Sequence, residues 1–315
     1  MIVGDAFDLL LAVLVVAVAA WTVGVHDTFA AVVGVVAFGL LVALVWVRIA
    51  APDVALTEAA IGSGVTGGLL LSATTRIQRA EQPDTDTLPG PLLRTFAVGL
   101  CIIVVSALAW AVLSLPEPAP TLAPAAGAAL PATGLKNPVA AVLIAFRGVD
   151  TLLEVVVLLL ATVGMWSLAS DGVWGGLPGR RPNFNSGHAL TLLALLLLPL
   201  GIIVGLHIFW IGSQAPGGEF QASAILAAMW ILAHMSGLAD VPAISRRLLR
   251  ALLVLGPVVF LAIGFIGFAG PGGFLAYPPR FAKPAILIVE IALMLSIAAM
   301  LVLLVAGPPM RRKSP

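Results

Sequence analysis

Charge is scarce in this chain: only 10% of its 315 residues are Asp, Glu, Lys or Arg. With so few polar groups the chain cannot cover a water-exposed surface, which excludes an ordinary soluble globular protein. Cysteine occurs once, so neither an internal disulfide nor a C-x-x-C metal site can form, and Cys101 is expected to be a buried, inert thiol. The net charge of +1 and the absence of an aromatic-interleaved basic groove argue against nucleic-acid binding.

Long apolar runs are abundant instead. Hydrophobic residues make up 61% of the chain, and the mean hydropathy of +1.13 indicates an integral membrane protein. The runs are long enough for helices of about 20 residues and lack the alternating pattern of a β-barrel, so we predict an all-α fold of about nine transmembrane helices. The predicted spans are Phe7–Val25, Phe29–Ile49, Val54–Thr74, Phe96–Leu115, Val149–Ala169, Ala189–Gly212, Ala222–Leu238, Leu248–Ala269 and Pro284–Val305.

The first span resembles a secretion signal only superficially, because Asp5 and Asp8 precede it and no Lys or Arg does. We therefore expect it to remain in the mature protein.

The distribution of Lys and Arg predicts the orientation, because positively charged loops prefer the cytoplasmic side. An outside N-terminus and an inside C-terminus place eleven of the sixteen basic residues inside. These are Arg76, Arg79, Arg94, Arg180, Arg181, Arg246, Arg247, Arg250, Arg311, Arg312 and Lys313. The other five, Arg48, Lys136, Arg147, Arg280 and Lys283, would face outward.

Pro-, Gly- and charge-rich breaks divide the spans into three blocks. We predict a three-span block at 1–77, a cytoplasmic linker at 78–94, a two-span block at 95–170 and a four-span block at 188–308. Within the second block, the Pro/Ala-rich stretch Pro116–Lys136 is predicted to be an outer, non-helical connection, and Ser170–Gly187 is a further break.

Two acids one helical turn apart, Asp150 and Glu154, stand at the start of the fifth span and share one face of the helix. Burying acids in lipid is costly, so the pair points to ion handling inside the membrane. Arg147 can pair with Asp150, and that structural alternative carries about equal weight. Glu154 has no basic residue in its own span, so it is the better candidate for exchanging a proton or binding a cation.

A second pair of acids begins the third span. Asp53 follows Pro52 in the first helical turn, where an acid is expected to act as a cap stabilised by exposed N–H groups and the helix dipole. Glu58 lies about a turn and a half further into the helix, where capping is a poorer explanation. It is therefore a better candidate than Asp53 for a functional acid. The Gly-rich run from Gly62 to Gly68 favours close helix packing, with a water or ion pathway as the alternative.

The last block contains scattered polar candidates: His207, His234 and Glu290, and the turn Pro216, Gly217, Gly218 and Glu219. A membrane histidine is either a hydrogen-bonded packing residue or part of a proton relay. No H-x-x-x-H or C-x-x-C spacing is present, so we expect neither a metal site nor a cofactor.

Three stretches resemble subunits of Mrp-type multisubunit cation/proton antiporters. Asn137–Val139 with Phe146–Thr151 and Glu154 is similar to the C-terminal, two-span portion of the large A subunit and to its small counterpart in membrane-bound hydrogenases. Ala51–Glu58 is similar to the three-span segment that precedes it, and Gln214–Phe220 to the signature turn of the four-span B subunit. The chain thus looks like an A-subunit tail fused to a B subunit.

The resemblance implies a module related to respiratory complex I, assembled with large antiporter-like and small Mrp-type subunits. It makes Glu154 the best candidate for a proton or cation relay, with Asp150 and Thr151 beside it. Asp53, Thr57 and Glu58 would lie on a neighbouring helix, and His207, Gly217, Gly218 and Glu290 in the B-like half. Glu219, Gln214 and Glu290 depart from the family's commoner Gly, Asn and Asp.

The sequence therefore predicts an accessory subunit of an Mrp-type Na⁺/H⁺ antiporter in a bacterial or archaeal cytoplasmic membrane, not an enzyme. Two alternatives stay open: the membrane arm of a redox-driven, complex I-like or hydrogenase-like ion pump, and a purely structural scaffold in which the acids are paired.

Overall fold

A computed structural model describes residues 2–80, 90–118, 120–179, 188–270 and 272–309. Within these ranges the elements are helical and none is a β-strand, which confirms the predicted all-α class. The α-helices are α1 (Ile2–Gly24), α2 (Thr28–Arg48), α3 (Pro52–Thr57), α4 (Thr66–Ala80), α5 (Pro91–Leu113), α6 (Ala123–Thr133), α7 (Pro138–Ala141), α8 (Gly148–Ser167), α9 (His188–Ile211), α10 (Glu219–Met235), α11 (Arg247–Ile266) and α12 (Ala282–Ala306). Two π-helical segments, Glu58–Val65 and Val142–Phe146, join α3 to α4 and follow α7.

Eight of the helical stretches in the described ranges are long and apolar enough to cross a membrane. They are Asp5–Gly24, Thr28–Arg48, Pro52–Thr74, Pro91–Leu113, Gly148–Ser167, Ala189–Ile211, Arg247–Ala269 and Ala282–Ala306. The remaining predicted span corresponds to α10, whose 17 residues cover about 26 Å at 1.5 Å per residue, just under the thickness of a bilayer core. The prediction of about nine spans is confirmed.

Contacts at the ends of α9 and α12 indicate that α10 does cross. Ser213 follows α9 and Lys283 lies in the first turn of α12, yet both line one cavity. Two helices, α10 and α11, lie between these points in the chain, and α11 is long enough to span. Because the chain must return to the face that it left, α10 has to cross as well.

The predicted non-helical connection between the fourth and fifth spans is wrong in part. Residues Ala123–Thr133 form α6, since alanine is the best helix former and Pro124 occupies the first turn, where a missing N–H costs nothing. Together with Pro138–Phe146, α6 makes a pair bent by 88°. The backbone N–H groups of Lys136 and Asn137, between the two arms, donate to Ser213 O at 2.9 and 3.2 Å, so the bend lies beside the end of α9.

The core of the fold is α12, which packs against α8, α10 and α11. Apolar residues surround its whole circumference. Of its most apolar stretch of 18 residues, 78% is buried inside the protein, as expected for a central helix. Two buried serines tie it to its neighbours: Ser223 of α10 donates to Met294 O at 3.0 Å, and Ser296 of α12 donates to Leu253 O of α11.

Helix α5 is the opposite case, because none of its residues is buried within the chain. Cys101 lies on this helix and is exposed, so the prediction of a buried thiol is wrong. The apolar sequence of α5 does indicate that the helix is shielded from water. Because its own chain does not cover it, lipid or another subunit has to provide that shielding.

Part of the predicted organisation lies outside the described residues. This applies to residues 81–89 of the predicted linker, residues 180–187 of the third break and the basic residues Arg180, Arg181, Arg311, Arg312 and Lys313. The predicted orientation therefore stays a prediction, as do the block boundaries.

Candidate ion-path site

Asp53 joins the three predicted blocks. Its carboxylate Oδ1 accepts hydrogen bonds from Asn137 Nδ2 at 3.2 Å and from the backbone N–H of Gly217 at 3.1 Å. Asp53 lies in the first turn of α3, as expected, but the cap position is Ala51 and no side chain makes a capping hydrogen bond to α3. An aspartate in the first turn also satisfies the helix dipole, which is why the sequence alone favoured the local explanation.

Two amides extend this junction. Asn137 Nδ2 also contacts the carbonyls of Gly212 and Ala215 at 3.0 and 3.1 Å. Gln221 Nε2 donates to Thr57 Oγ1 at 2.9 Å and approaches Asp53 O at 3.3 Å. The result is a buried polar network that fixes the start of α3 against the starts of α7 and α10.

The glycine turn before α10 is required by this junction. Gly217 and Gly218 have φ angles of +147° and +144°, which side-chain-bearing residues rarely adopt. A Cβ on Gly217 would also fall on the carbonyl of Ile208. The close approach lets the Gly217 N–H reach Asp53. Pro216 precedes the pair, whereas Glu219, predicted as part of the turn, is the first residue of α10.

Glu58 begins the first π-helical segment and is half-buried. Its carboxylate lies over Gly62, one turn further along the same segment, and faces Gly39 of α2. The hydroxyl of Ser63 faces Gly39 as well. Ser63 Oγ is buried without a hydrogen-bond partner among the described residues. The glycines on both helices allow α2 to pack closely, as predicted, and they leave an acid and a free hydroxyl at the contact.

Three glutamates on neighbouring helices form a second polar feature, which we call the glutamate row: Glu154 on α8, Glu219 on α10 and Glu290 on α12. Glu219 and Glu290 are each only 4% exposed. Glu219 lies close enough to interact electrostatically with Glu154, and Glu290 with Glu219. Glu219 Oε1 is buried without a hydrogen-bond partner in the described part of the chain. Glu154 lies on an exposed face of α8.

The side chains of Asp150 and Thr151 both have partners within the chain. Asp150 pairs with Arg147 at 2.6 Å between Oδ2 and Nε, the structural alternative that the sequence left open. Thr151 is fully buried, and its hydroxyl donates to Leu143 O at 2.7 Å, which ties α8 to the second π-helical segment. Within this trio, Glu154 interacts electrostatically with an acid of another helix, Glu219 of α10.

The two histidines lie apart from the glutamate row. His207 is on an exposed face of α9. His234, at the end of α10, has Nδ1 3.3 Å from Ala239 O in the following loop. Their part in a proton relay stays a prediction. Among the described residues, no group of three His, Cys, Asp or Glu side chains is placed to hold a metal ion.

The sequence analysis gave no role to Asn137, Gln221 and Ser63, and it assigned Glu219 to a turn. An amide or acid next to a long apolar run predicts that the side chain has a hydrogen-bond partner or a function, but it does not identify the partner residue. Partners 84 and 164 residues away along the chain, as for Asn137 and Gly217 with Asp53, become visible only in three dimensions.

Two segments of the chain match models of known protein families. Residues 13–79 match the MbhD family, described as the D component of MBH, and residues 189–308 match the domain related to the MnhB subunit of Na⁺/H⁺ antiporter. The chain is an Mrp/MBH-type membrane subunit. It carries the D-like and B-like segments in one polypeptide, so the resemblance predicted from the sequence is confirmed.

Solved structures agree on the fold. The chain is similar to one in the Mrp complex from Dietzia sp. DQ12-45-1b, with 23% identity and a TM-score of 0.73 over 97% of this chain. It spans only 35% of that longer chain. A second similar chain belongs to the structure of the membrane-bound sulfane sulfur reductase (MBS), an archaeal respiratory membrane complex, with 24% identity and a TM-score of 0.52. The match covers 69% of this chain and 99% of that chain. A comparison with curated proteins finds no match.

Proposed function

We propose that the chain is an accessory subunit of an Mrp-type antiporter that exchanges Na⁺ or another monovalent cation for protons. The observation that carries the proposal is the glutamate row within a chain of joined D-like and B-like segments. The host would be the cytoplasmic membrane of a bacterium or archaeon.

The row differs from the other acids of the chain in what surrounds it. Asp150 has a guanidinium partner and Asp53 has two hydrogen-bond donors, so both have a structural explanation. Glu219 is buried with an unpartnered oxygen and with two further acids near it. An arrangement so costly in a membrane favours a role in moving charge.

In this proposal Glu154, Glu219 and Glu290 pass protons between α8, α10 and α12. Protonation of one member relieves repulsion on the next, so charge moves along the row one step at a time. Glu58, beside the free hydroxyl of Ser63, offers a second site for a proton or a partly dehydrated cation. Asp53 and Thr57 position the start of the same span through their bonds with the B-like segment.

Other subunits complete the path. Glu154 faces outward from α8, where only water or a neighbouring polypeptide can compensate its charge. Helix α5 buries none of its residues within the chain. Both features support assembly with large antiporter-like subunits and further small subunits in a hetero-oligomer.

The test is Glu219→Gln in the assembled complex, assayed as Na⁺-dependent proton flux in everted membrane vesicles. Glutamine keeps the size of the side chain and removes its titratable proton, so we expect most of the flux to disappear while the complex stays intact. Glu154→Gln should act in the same direction. Glu117→Gln, which alters an exposed acid between α5 and α6, is the matched control. Unchanged flux in both row variants would leave the scaffold alternative standing.

One observation favours a second function. The match to a chain of a sulfane sulfur reductase complex extends over 99% of that chain. The same fold therefore occurs in a redox-linked membrane complex, which makes the ion-translocating arm of such an assembly the second candidate. Purification in mild detergent with mass-spectrometric identification of the partners distinguishes the two: iron–sulfur subunits support the redox pump, and antiporter subunits without them support the antiporter.

A further inference from the structure

A cavity of about 100 Å³ lies between the end of α9 and the start of α12. It is lined by Leu135, Trp210, Ser213, Gln214, Lys283, Leu287 and Glu290. Gln214 and Lys283 are exposed, whereas Glu290 is only 4% exposed. The cavity thus has a polar mouth and a buried acid.

Helical spacing sets the depth of this cavity. Lys283, Leu287 and Glu290 follow one another on a single face of α12, at intervals of four and three residues. At 1.5 Å per residue, Glu290 lies about 10 Å along the helix from Lys283. A path from the mouth therefore reaches about a third of the way through a bilayer core of roughly 30 Å.

Glu290 is available to a ligand in the cavity. No hydrogen bond joins its carboxylate to another of the described residues, although the side chain is more than nine-tenths buried. The charged or titratable groups near it are Glu219 on α10, Lys283 on its own helix and Tyr277 in the loop before α12. Burial and the Glu290 carboxylate raise the pKa of the Tyr277 phenol, which stays protonated and donates to Ile144 O at 3.3 Å.

Water fits this cavity in size and chemistry. A site needs about 10–15 Å³ for one water together with two or more polar partners, so a cavity of about 100 Å³ holds several. Ser213, Gln214, Lys283 and Glu290 supply donors and acceptors from the mouth to the end. The ammonium of Lys283 at the mouth repels every cation, hydronium as well as Na⁺. Neutral water is therefore the occupant that these side chains favour, and a proton passes inward by transfer between neighbouring water molecules.

We infer that this cavity is a hydrated proton inlet that connects one membrane surface to Glu290 and, through it, to the glutamate row. A hydronium ion in the inlet gives a proton to the Glu290 carboxylate and leaves as water. The inference rests on the proposed function for the destination of the proton, but the hydration of the inlet does not. Under the predicted orientation the inlet opens on the outer face.

Cysteine accessibility tests the inlet, because thiols react as thiolates and these form readily only in contact with water. The parent is Cys101→Ser, which removes the single native thiol. In this parent, Leu287→Cys places a thiol on the cavity wall one turn from Glu290. Ile288→Cys places one at nearly the same depth on a face that is 54% exposed but lies outside the cavity lining.

The assembled complex in sealed vesicles is treated with a membrane-impermeant maleimide from either side. We expect the Leu287→Cys thiol to react at least about tenfold faster than the Ile288→Cys thiol, from one side only. Ser213→Cys, a nearly isosteric change on the same wall, provides a second reporter in case Leu287→Cys disturbs assembly. Equal rates at positions 287 and 288, whether both slow or both fast, would overturn the inlet.

The outcome separates the inlet from the proposed function. Fast, one-sided labelling together with unchanged flux in Glu219→Gln would keep the inlet and reject the relay. Slow labelling at Leu287→Cys and Ser213→Cys together with lost flux in Glu219→Gln would keep the relay and reject the inlet. If both stand, maleimide on Leu287→Cys should itself block proton flux, and the same treatment of Ile288→Cys should not.

Discussion

Replacing Asp53 with alanine should weaken the junction between the D-like and B-like segments. The change leaves the N–H of Gly217 without its acceptor, and Asn137 keeps its contacts with Gly212 O and Ala215 O. A buried donor left unpaired costs about 1–3 kcal/mol, and the weakened amide adds roughly 1 kcal/mol more. Because Asp53 is only 7% exposed, solvent replaces little of this. We expect Asp53→Ala to lower the free energy of unfolding by about 2–4 kcal/mol.

Asparagine separates the hydrogen bonds from the charge. The Oδ1 of Asp53→Asn can still accept from Gly217 and Asn137, so the expected loss is only about 1 kcal/mol. The assay is denaturant-induced unfolding of the purified chain in mild detergent, followed by tryptophan fluorescence, with exposed Asp171→Asn as a control expected to stay within about 0.5 kcal/mol of the parent. Equal stabilities for the alanine and asparagine variants would refute the hydrogen-bond explanation of Asp53.

Two matched pairs test other parts of the packing. Gly39→Ala places a methyl group on Ser63 Oγ and against Glu58 and should destabilise by about 1–3 kcal/mol, whereas Gly68→Ala, with open space around its Cβ, should be neutral or slightly stabilising in the same unfolding assay. Thr151→Val removes the bond to Leu143 O from a fully buried site and should cost about 1 kcal/mol. Thr95→Val removes an equivalent bond to Pro91 O on exposed α5 and should cost much less, so equal losses at both threonines would contradict this explanation of Thr151.

Hydropathy predicted the helices well, because a bilayer imposes their length and composition residue by residue. The errors occur where the environment, not the propensity, decides. Cys101 was expected inside the protein, but an apolar helix such as α5 is equally stable against lipid. The short helix α6 was missed because its prolines suggested a loop, although one of them lies in the first turn, where it is tolerated.

The candidate site was predictable in its residue types and not in its geometry. Glu154 and Glu290 were identifiable as acids within apolar runs. Their relation through Glu219 was not, since the three residues lie on three different helices and the sequence placed Glu219 in a turn. Asp53 shows the converse: its local setting has an adequate explanation as a helix-terminal acid, and that explanation conceals its bonds to two distant segments.

Four acids of the candidate site fall into two kinds, according to whether their oxygens have hydrogen-bond donors. Asp53 and Asp150 have donors at 3.2 Å or less, so each stabilises one arrangement of the chain, and a proton added to either would break that arrangement. Glu219 Oε1 is buried without a partner among the described residues, and no described residue donates to the Glu290 carboxylate, so each has an oxygen at which a proton can be added without a bond to break. A relay needs groups of the second kind held in place by groups of the first. The central position of α12 supports this division, because serine hydrogen bonds to α10 and α11 hold in place the helix that carries Glu290.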